Sequence, residues 1–266
     1  MVPEPSLAQQ SFLEARKRSL RLITLARIAV FLVFLAVWEV STRLHLIDAF
    51  IFSSPTRVCK TFLSMAEDGS IFLHTGTTLT ETLISFLLVF LLSLVIAILL
   101  WLSRSLSKIC EPYLVILNSL PKSALAPLLI VWLGANSRTI IVAGMSVAIF
   151  GSILTIYTGF SQVDADKIKL IRTLGGNRRD ILQKVVLPSS IPIFINTMKV
   201  NIGLCLVGVV IGEFIGSRQG LGYLIIYGTQ VFQLDLVLMS IVILCIMAMA
   251  LYSIVNLAEK YYRIHA

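Results

Sequence analysis

Six stretches of this sequence are apolar for long enough to cross a bilayer: 25–40, 79–102, 115–133, 139–160, 200–215 and 236–257. A spanning helix needs about 20 mainly apolar residues, and only helices or closed barrels satisfy their backbone groups inside lipid. The spacing therefore predicts an all-α membrane protein with six transmembrane helices. Composition agrees, with 57% hydrophobic and 14% charged residues and a mean hydropathy of +0.92, outside the range of soluble domains. The first and fifth stretches are short, and the third is interrupted by Pro121 and Pro127.

Lys and Arg set the expected orientation. Arg16, Lys17, Arg18, Arg21, Arg27, Arg104, Lys108, Lys167, Lys169, Arg172, Arg178, Arg179, Lys184, Lys260 and Arg263 fall in alternate connections, whereas the others hold only Arg43, Arg57, Lys60, Arg138 and Arg218. This bias predicts a multi-pass protein of the cell membrane with both termini cytoplasmic. Residues 1–22 are then a cytoplasmic segment, 23–258 the membrane domain and 259–266 a cytoplasmic tail. The net charge of +8 is read as topology and headgroup contact, not as a nucleic-acid footprint. Residues 1–22 read as a solvated tail or a short interfacial helix. They do not read as a cleavable signal, since the apolar run begins near Ile23 with no small-x-small site behind it. The four cysteines, Cys59, Cys110, Cys205 and Cys245, lie in or beside different spans without metal spacing, as packing residues do.

One connection is too long and too patterned to be a mere link. Residues 161–192 carry Ile168, Ile171 and Leu174 at helical spacing, then Gly175-Gly176, then Ile181, Leu182, Val185 and Val186 on one face of a second helix. Ser161 with Asp164, and Asn177 with Asp180, read as capping signals for the two helices. Two amphipathic helices in a cytoplasmic loop predict a docking surface.

This loop resembles that of the permease subunits of binding-protein-dependent ABC importers, whose pattern is roughly E-A-A-x-x-x-G, a variable stretch, an apolar residue, L-P and a further proline. The matching residues are Lys169-Leu170-Ile171-Arg172-Thr173-Leu174-Gly175, then Val185-Val186-Leu187-Pro188 and Pro192. The family Glu is Lys169 here, and its two Ala are Leu170 and Ile171. The resemblance implies that Asp164, Lys169, Arg172, Thr173, Leu174, Gly175, Gly176 and Asn177 form the element that couples the chain to an ATPase subunit.

Further matches are to the nitrate, sulfonate and taurine branch of that family. Ser53-Ser54-Pro55 with Val58 is similar to its P-S-P-x-x-V element, with Ser53 in place of the first proline. His74 with Thr78-Leu79 resembles the entry to its second span, where a lone His reads as a helix-start hydrogen-bonding group. Pro121, Ala124, Pro127-Leu128 and Trp132-Leu133-Gly134 match P-x-x-A-x-x-P-L and W-[FL]-G. Glu213 followed by Gly220-Leu221-Gly222 matches E-x-x-x-x-x-x-G-L-G.

Polar residues in the spans are the pathway candidates: Asn118, Pro121, Ser123 and Pro127 at the broken third span, and Asn196, Asn201 and Glu213 in the fifth. Lys122 reads as snorkelling to the inner surface, and Lys199 as the basic residue of the fifth span near that surface. Glu213 reads first as a structural bond to the backbone of the turn that follows it. The glycines of the fourth span, Gly144, Gly151 and Gly159, predict close helix packing.

No phosphate-loop G-x-x-x-x-G-K-[ST], H-E-x-x-H or G-x-S-x-G occurs, and no pair of carboxylates stands out in the spans. The chain thus reads as a transport subunit and not an enzyme. The resemblance implies no cofactor in this chain, with ATP and Mg on two copies of an ABC ATPase subunit. It also implies an extracytoplasmic substrate-binding protein, a homodimer of the permease, and surrounding lipid. The implied substrate is a small solute such as a sulfonate, taurine or nitrate. The alternatives are a heterocyclic vitamin precursor (riboflavin- or thiamine-precursor-like) on the same machinery, an ATPase-independent secondary carrier, and a membrane scaffold.

Overall fold

The computed structural model describes residues 7–265; residues 1–6 of the expected N-terminal segment and Ala266 of the expected tail lie outside them. Helix α1, Leu7–Arg43, runs without interruption through the expected tail and the first span. The helix crosses residue 22 without a break, because residues 7–21 hold neither Gly nor Pro and are mostly good helix formers. Only the later part, Arg21–Arg43, is apolar enough to span. Two short helices follow, α2 at Ala49–Phe52 and α3 at Pro55–Glu67. Ser54 caps α3 by accepting from Arg57 N at 3.3 Å, and Pro55 occupies the first turn, where its missing N–H costs nothing.

Helix α4, Ser70–Leu102, is the second span and begins well before residue 79. The expected third span is not one helix. It is α5, Arg104–Ser119, and α6, Lys122–Leu133, meeting at 96°. Leu120 and Pro121 between them are extended, at ψ 141 and ψ 103. Proline forces this, since its ring drives the preceding residue out of the helical region and removes a ladder donor. The connection at 104–112 is the first half of α5, with Pro112 inside it. Pro127 lies inside α6, which continues past it to Leu133.

Helix α7, Ser137–Ser161, is the fourth span. After it come α8, Ala165–Thr173, and α9, Arg178–Ile181, which continues through one π turn at Leu182–Val186 and α10, Leu187–Ser189. The fifth span, α11, is Ile191–Gly216; α12 is Leu221–Gln230 and α13 is Leu234–His265. Among the described residues, five helices are thus long and apolar enough to cross a membrane, or six if the bent pair counts as one crossing.

Helices α4, α7 and α11 pack together as the centre of the molecule. Lipid is as apolar as a leucine side chain, so close contact rather than water exclusion holds such helices together. At Gly208 of α11 an added Cβ would lie 2.8 Å from the Cα of Gly144 and 2.9 Å from the Ala143 carbonyl. The expected small-residue packing of the fourth span is therefore with the fifth. Helices α12 and α13 pack beside this centre, with α3 against α13. Helix α1 stands at the edge, touching α2 and α3, and none of the most apolar window of its span is buried. An apolar cleft of about 640 Å³, lined by Phe34, Trp38, Ile51, Leu234 and Ile241 among others, separates it from α13.

Candidate functional site

Three places collect the residues that the sequence singled out. The first is the end of the bundle carrying the 161–192 loop, here the loop end. Asp164 caps α8 by accepting from Asp166 N at 2.9 Å. Ser161, expected as part of that cap, is instead the last residue of α7 and bonds back to the Tyr157 carbonyl at 3.1 Å. Helix α8 ends where Gly176 N reaches Ile171 O at 2.9 Å and Gly175 N reaches Arg172 O at 3.0 Å, with Gly175 at φ 80. This paired closure needs a left-handed residue, which is why glycine stands there. Asn177 and Asp180 then form the expected reciprocal cap: Asn177 accepts from Asp180 N at 3.0 Å, and Asp180 from Asn177 N at 2.9 Å. Pro188 has no N–H for the helix behind it, and the chain widens into the π turn just before it.

The loop has two apolar sides. Ile168 and Ile171 turn inward with Ile181, Leu182 and Val186, onto Ala97 of α4 and Ile156 and Phe160 of α7. Leu170 and Leu174 turn outward, 59% and 74% exposed, among exposed Lys169, Arg172 and Thr173. Arg178 donates to the Leu102 carbonyl at the end of α4.

The second place is midway along α7. Asn118, at the end of α5, faces Gly151, where an added Cβ would sit 3.2 Å from its Oδ1. Lys122 is half-buried. It curls back over the break and donates to the Asn118 carbonyl, a favourable place for a cation at a helix C-terminus. Asn201 of α11 is buried and donates to Ser152 Oγ at 2.5 Å. Asn118 and Asn201 therefore meet neighbouring residues of α7. Pro121, Ser123 and Pro127 are exposed beside the break. Asn196 is separate: with Thr155, Thr158 and Gln162 it lines a groove of about 530 Å³ towards the loop end. Lys199, read as the basic residue of the fifth span, is paired with Glu259 and donates to Asn256 at 2.9 Å. Glu259, at the start of the expected cytoplasmic tail, thus joins α13 to α11.

The third place is the opposite end, here the far end. Glu213 is fully buried. Its Oε1 accepts from Thr78 Oγ1 at 2.7 Å and its Oε2 from Gly222 N at 2.6 Å. Thr78 Oγ1 in turn accepts from Leu221 N at 2.8 Å, and His74 Nδ1 from Gly220 N at 3.0 Å. Residues of α4 and α11 thereby hold the Gly-Leu-Gly turn, and His74 is the hydrogen-bonding group it was read as. A Cβ on Gly220 would overlap the Glu213 carboxyl carbon, and Gly220 sits at φ 106. At this end Glu39 also bonds Arg43 at 2.7 Å and Thr56 N at 3.1 Å, and Arg57 bridges to Asp235 at 2.8 Å.

One residue here went unread in the sequence. Glu81 is 3% exposed on α4, and its carboxyl lies beside those of Glu213 and the Ser137 hydroxyl. The expectation of no paired carboxylates in the spans is therefore corrected. Its signal was available: an ionisable residue just inside the second apolar stretch, with Thr78, Thr82 and Ser85 on the same helical face.

Residues 89–263 match the family described as binding-protein-dependent transport system inner membrane component. A probable ABC transporter permease protein of Haemophilus influenzae is 33% identical over 83% of this chain and 89% of its own length. A putative aliphatic sulfonates transport permease protein of Bacillus subtilis is 28% identical over 86% of this chain and 83% of its own. Among solved structures, the fold is similar to that of an amino acid ABC transporter crystallised with histidines, at a TM-score of 0.61 and 19% identity, covering 75% of this chain and 98% of that one. The bent third crossing, the capped two-helix loop and the Glu-anchored turn thus stand in a chain that belongs to the binding-protein-dependent transport system inner membrane components, the permease subunits of ABC importers.

Proposed function

We propose that this chain carries a small anionic solute of the sulfonate class across the cell membrane, with the 161–192 loop seated on an ABC ATPase subunit. The observation that carries the docking is the outward face of that loop. Leu170 and Leu174 are exposed apolar side chains on an otherwise polar surface, and α8 ends in a rigid closure at Gly175 and Gly176 that fixes how they are presented. Apolar anchors with a charged rim are what a partner groove takes up. Lys169, in the place of the family Glu, pairs within the loop with Asp166 at 3.4 Å.

In this reading the termini and the loop are cytoplasmic, two ATPase subunits hold ATP and Mg, and a second copy of the permease completes the pathway. A substrate-binding protein docks at the far end. Asp164, Lys169, Arg172, Thr173, Leu174, Gly175, Gly176 and Asn177 form the coupling surface. Asn118, Ser123 and Asn196, with Pro121 at the break and Pro127 in α6, border the path. Asn201 and Glu213 hold its walls from behind. The sulfonate class rests on the Bacillus subtilis relative's name; Lys122 at the break suits an anion.

The test is reconstitution with the co-purifying ATPase and binding protein, followed by uptake of a labelled alkanesulfonate. Wild type accumulates it with ATP, and Leu170→Ser with Leu174→Ser inserts normally but loses both ATPase recovery and uptake. Undiminished ATP-dependent uptake in that double variant would overturn the docking. Competition by a pyrimidine or riboflavin precursor, but not by sulfonate, would overturn the substrate class alone.

A further inference from the structure

At the far end, α11 stops against the corner that joins α6 to α7. A Cβ on Gly216 would lie 2.7 Å from Ile130 Cδ1 and 3.9 Å from Ala135 Cα, and one on Gly212 would lie 3.3 Å from Ile140 Cα. This close approach brings two connections side by side, 134–138 and 217–220. Between them and Thr77 of α4 is a recess of about 360 Å³, lined by Arg218 and Gln219. A second recess of about 680 Å³ adjoins it: Asn136 and Ser137 line both, and Arg138 lines the second.

Both connections are fixed by their own hydrogen bonds. Asn136 Nδ2 donates to the Leu133 and Gly134 carbonyls at 2.9 and 3.3 Å, and its Oδ1 accepts from Thr139 N at 3.1 Å. Thr139 Oγ1 donates to the Gly134 carbonyl at 2.6 Å. Ser217 Oγ donates to the Gln219 carbonyl at 2.5 Å and accepts from Gln219 N at 3.1 Å. The side chains of Arg138, Arg218 and Gln219, by contrast, make no hydrogen bond or ion pair among the described residues. The other arginines at this end are matched, Arg43 to Glu39 and Arg57 to Asp235. Lys60 lies on α3 and lines neither recess. No Asp or Glu lines either one, and Glu81 and Glu213 are buried. The two guanidinium groups without a counter-charge are thus the two that line the recesses.

We propose that the smaller recess is an entry site for a small oxyanion, the headgroup of a sulfonate, held by Arg218 and Gln219. The inference rests on the importer reading for the solute and for the outward position of the far end. A guanidinium offers paired N–H groups to two oxygens of one oxyanion, a geometry that an ammonium cannot copy. The Gln219 amide supplies a further donor. Arg138, in the neighbouring recess, adds positive potential at the mouth and draws anions to it without bonding them. Because both connections are already fixed, little ordering opposes the capture. Arg218 then selects an anion over a neutral solute at the point of entry.

The experiment uses the full chain with its co-purifying ATPase in lipid nanodiscs, without binding protein, and reads saturation transfer to the methyl protons of methanesulfonate. Dimethyl sulfone, uncharged and of similar size, is the control. Wild type passes saturation to methanesulfonate and not to dimethyl sulfone. Arg218→Gln is expected to weaken methanesulfonate binding about tenfold or more, and Arg218→Lys to fall between that variant and wild type. Arg138→Gln is expected to weaken it roughly threefold. Melting temperature stays unchanged in all three, since both arginines are exposed. No transfer to methanesulfonate in wild type, or equal transfer to both probes, would overturn the proposal, and neither result needs a variant to fold. Unchanged affinity in Arg218→Gln would overturn it too. So would an Arg218→Gln complex that keeps its methanesulfonate affinity but no longer retains the binding protein, which assigns the arginine to a protein contact. Selective binding that depends on Arg218, in a complex that takes up no sulfonate, would support the site and count against the substrate class instead.

Discussion

Arg178 and Leu102 are far apart in sequence, yet the Arg178 guanidinium donates to the Leu102 carbonyl at 2.5 Å. The first residue of α9 thereby closes the last turn of α4, whose terminal carbonyls have no partner within the helix. The tie crosses from the loop to the helix that holds the far-end turn through Thr78. Arg178→Ala removes it while leaving the Asn177–Asp180 cap untouched. An exposed charged bond of this kind contributes about 1 kcal/mol, so the protein stays folded. The expected outcome is normal recovery of the complex with several-fold lower uptake per ATP hydrolysed. Unchanged coupling would show that the loop pushes through the buried isoleucines alone.

Gly175→Val tests the closure of α8. The left-handed backbone costs a branched residue roughly 1–2 kcal/mol, although no atom lies within 4 Å of an added Cβ. The damage is therefore conformational rather than steric, and it moves Leu174 and the end of α8. Uptake is expected to fall tenfold or more with the membrane domain intact, as judged by yield and melting of the isolated permease. Gly175→Asn, which tolerates this backbone better, is expected to recover part of the uptake.

At the far end, Thr78→Val keeps the side-chain shape but deprives Leu221 N of its acceptor and Glu213 of its donor. Each buried group left unmatched costs about 1–3 kcal/mol. A clear drop in melting temperature is expected. Hydrogen exchange is expected to quicken at residues 220–224 and to stay slow at the centre of α7. Protection that remains at Leu221 would show that another group accepts its N–H.

Lys199 and Glu259 join α11 to α13, with side chains 15% and 32% exposed. Breaking such a pair from one side leaves a charge with poor solvation, whereas replacing both members removes the penalty. Lys199→Met and Glu259→Met are each expected to lower stability more than the double variant does. The check is a double-mutant cycle on thermal unfolding in nanodiscs. Additive losses would mean the pair makes no net contribution.

Sequence alone reached the features that depend on neighbours along the chain. Apolar length gave five of the crossings, the glycine pair gave the end of α8, and Asn177 with Asp180 gave a cap that the structure contains. It also placed Glu213 against the turn nine residues on, a local contact. The misses are contacts between helices. Glu81 and Glu213 sit on different spans, so nothing in either segment reports the other; the same holds for Lys199 with Glu259. The third crossing was read as a span with two breaks because Pro121 and Pro127 look alike in sequence. Their outcomes differ: Pro121 stands in the extended corner between α5 and α6, whereas Pro127 lies within α6, a distinction that depends on where α6 begins.

The 96° elbow between α5 and α6 bears on how the chain survives before it is assembled. Helix α6 has 12 residues, a length of roughly 18 Å, well short of a hydrocarbon thickness of about 30 Å. Extended backbone at Leu120 and Pro121 cannot be solvated by acyl chains, and only water or another protein surface can cover it. A lone copy inserted in the bilayer must therefore thin the lipid around this corner or draw water to it. That cost ends when a second surface closes over the corner, and so the chain's persistence in the membrane is tied to finding one.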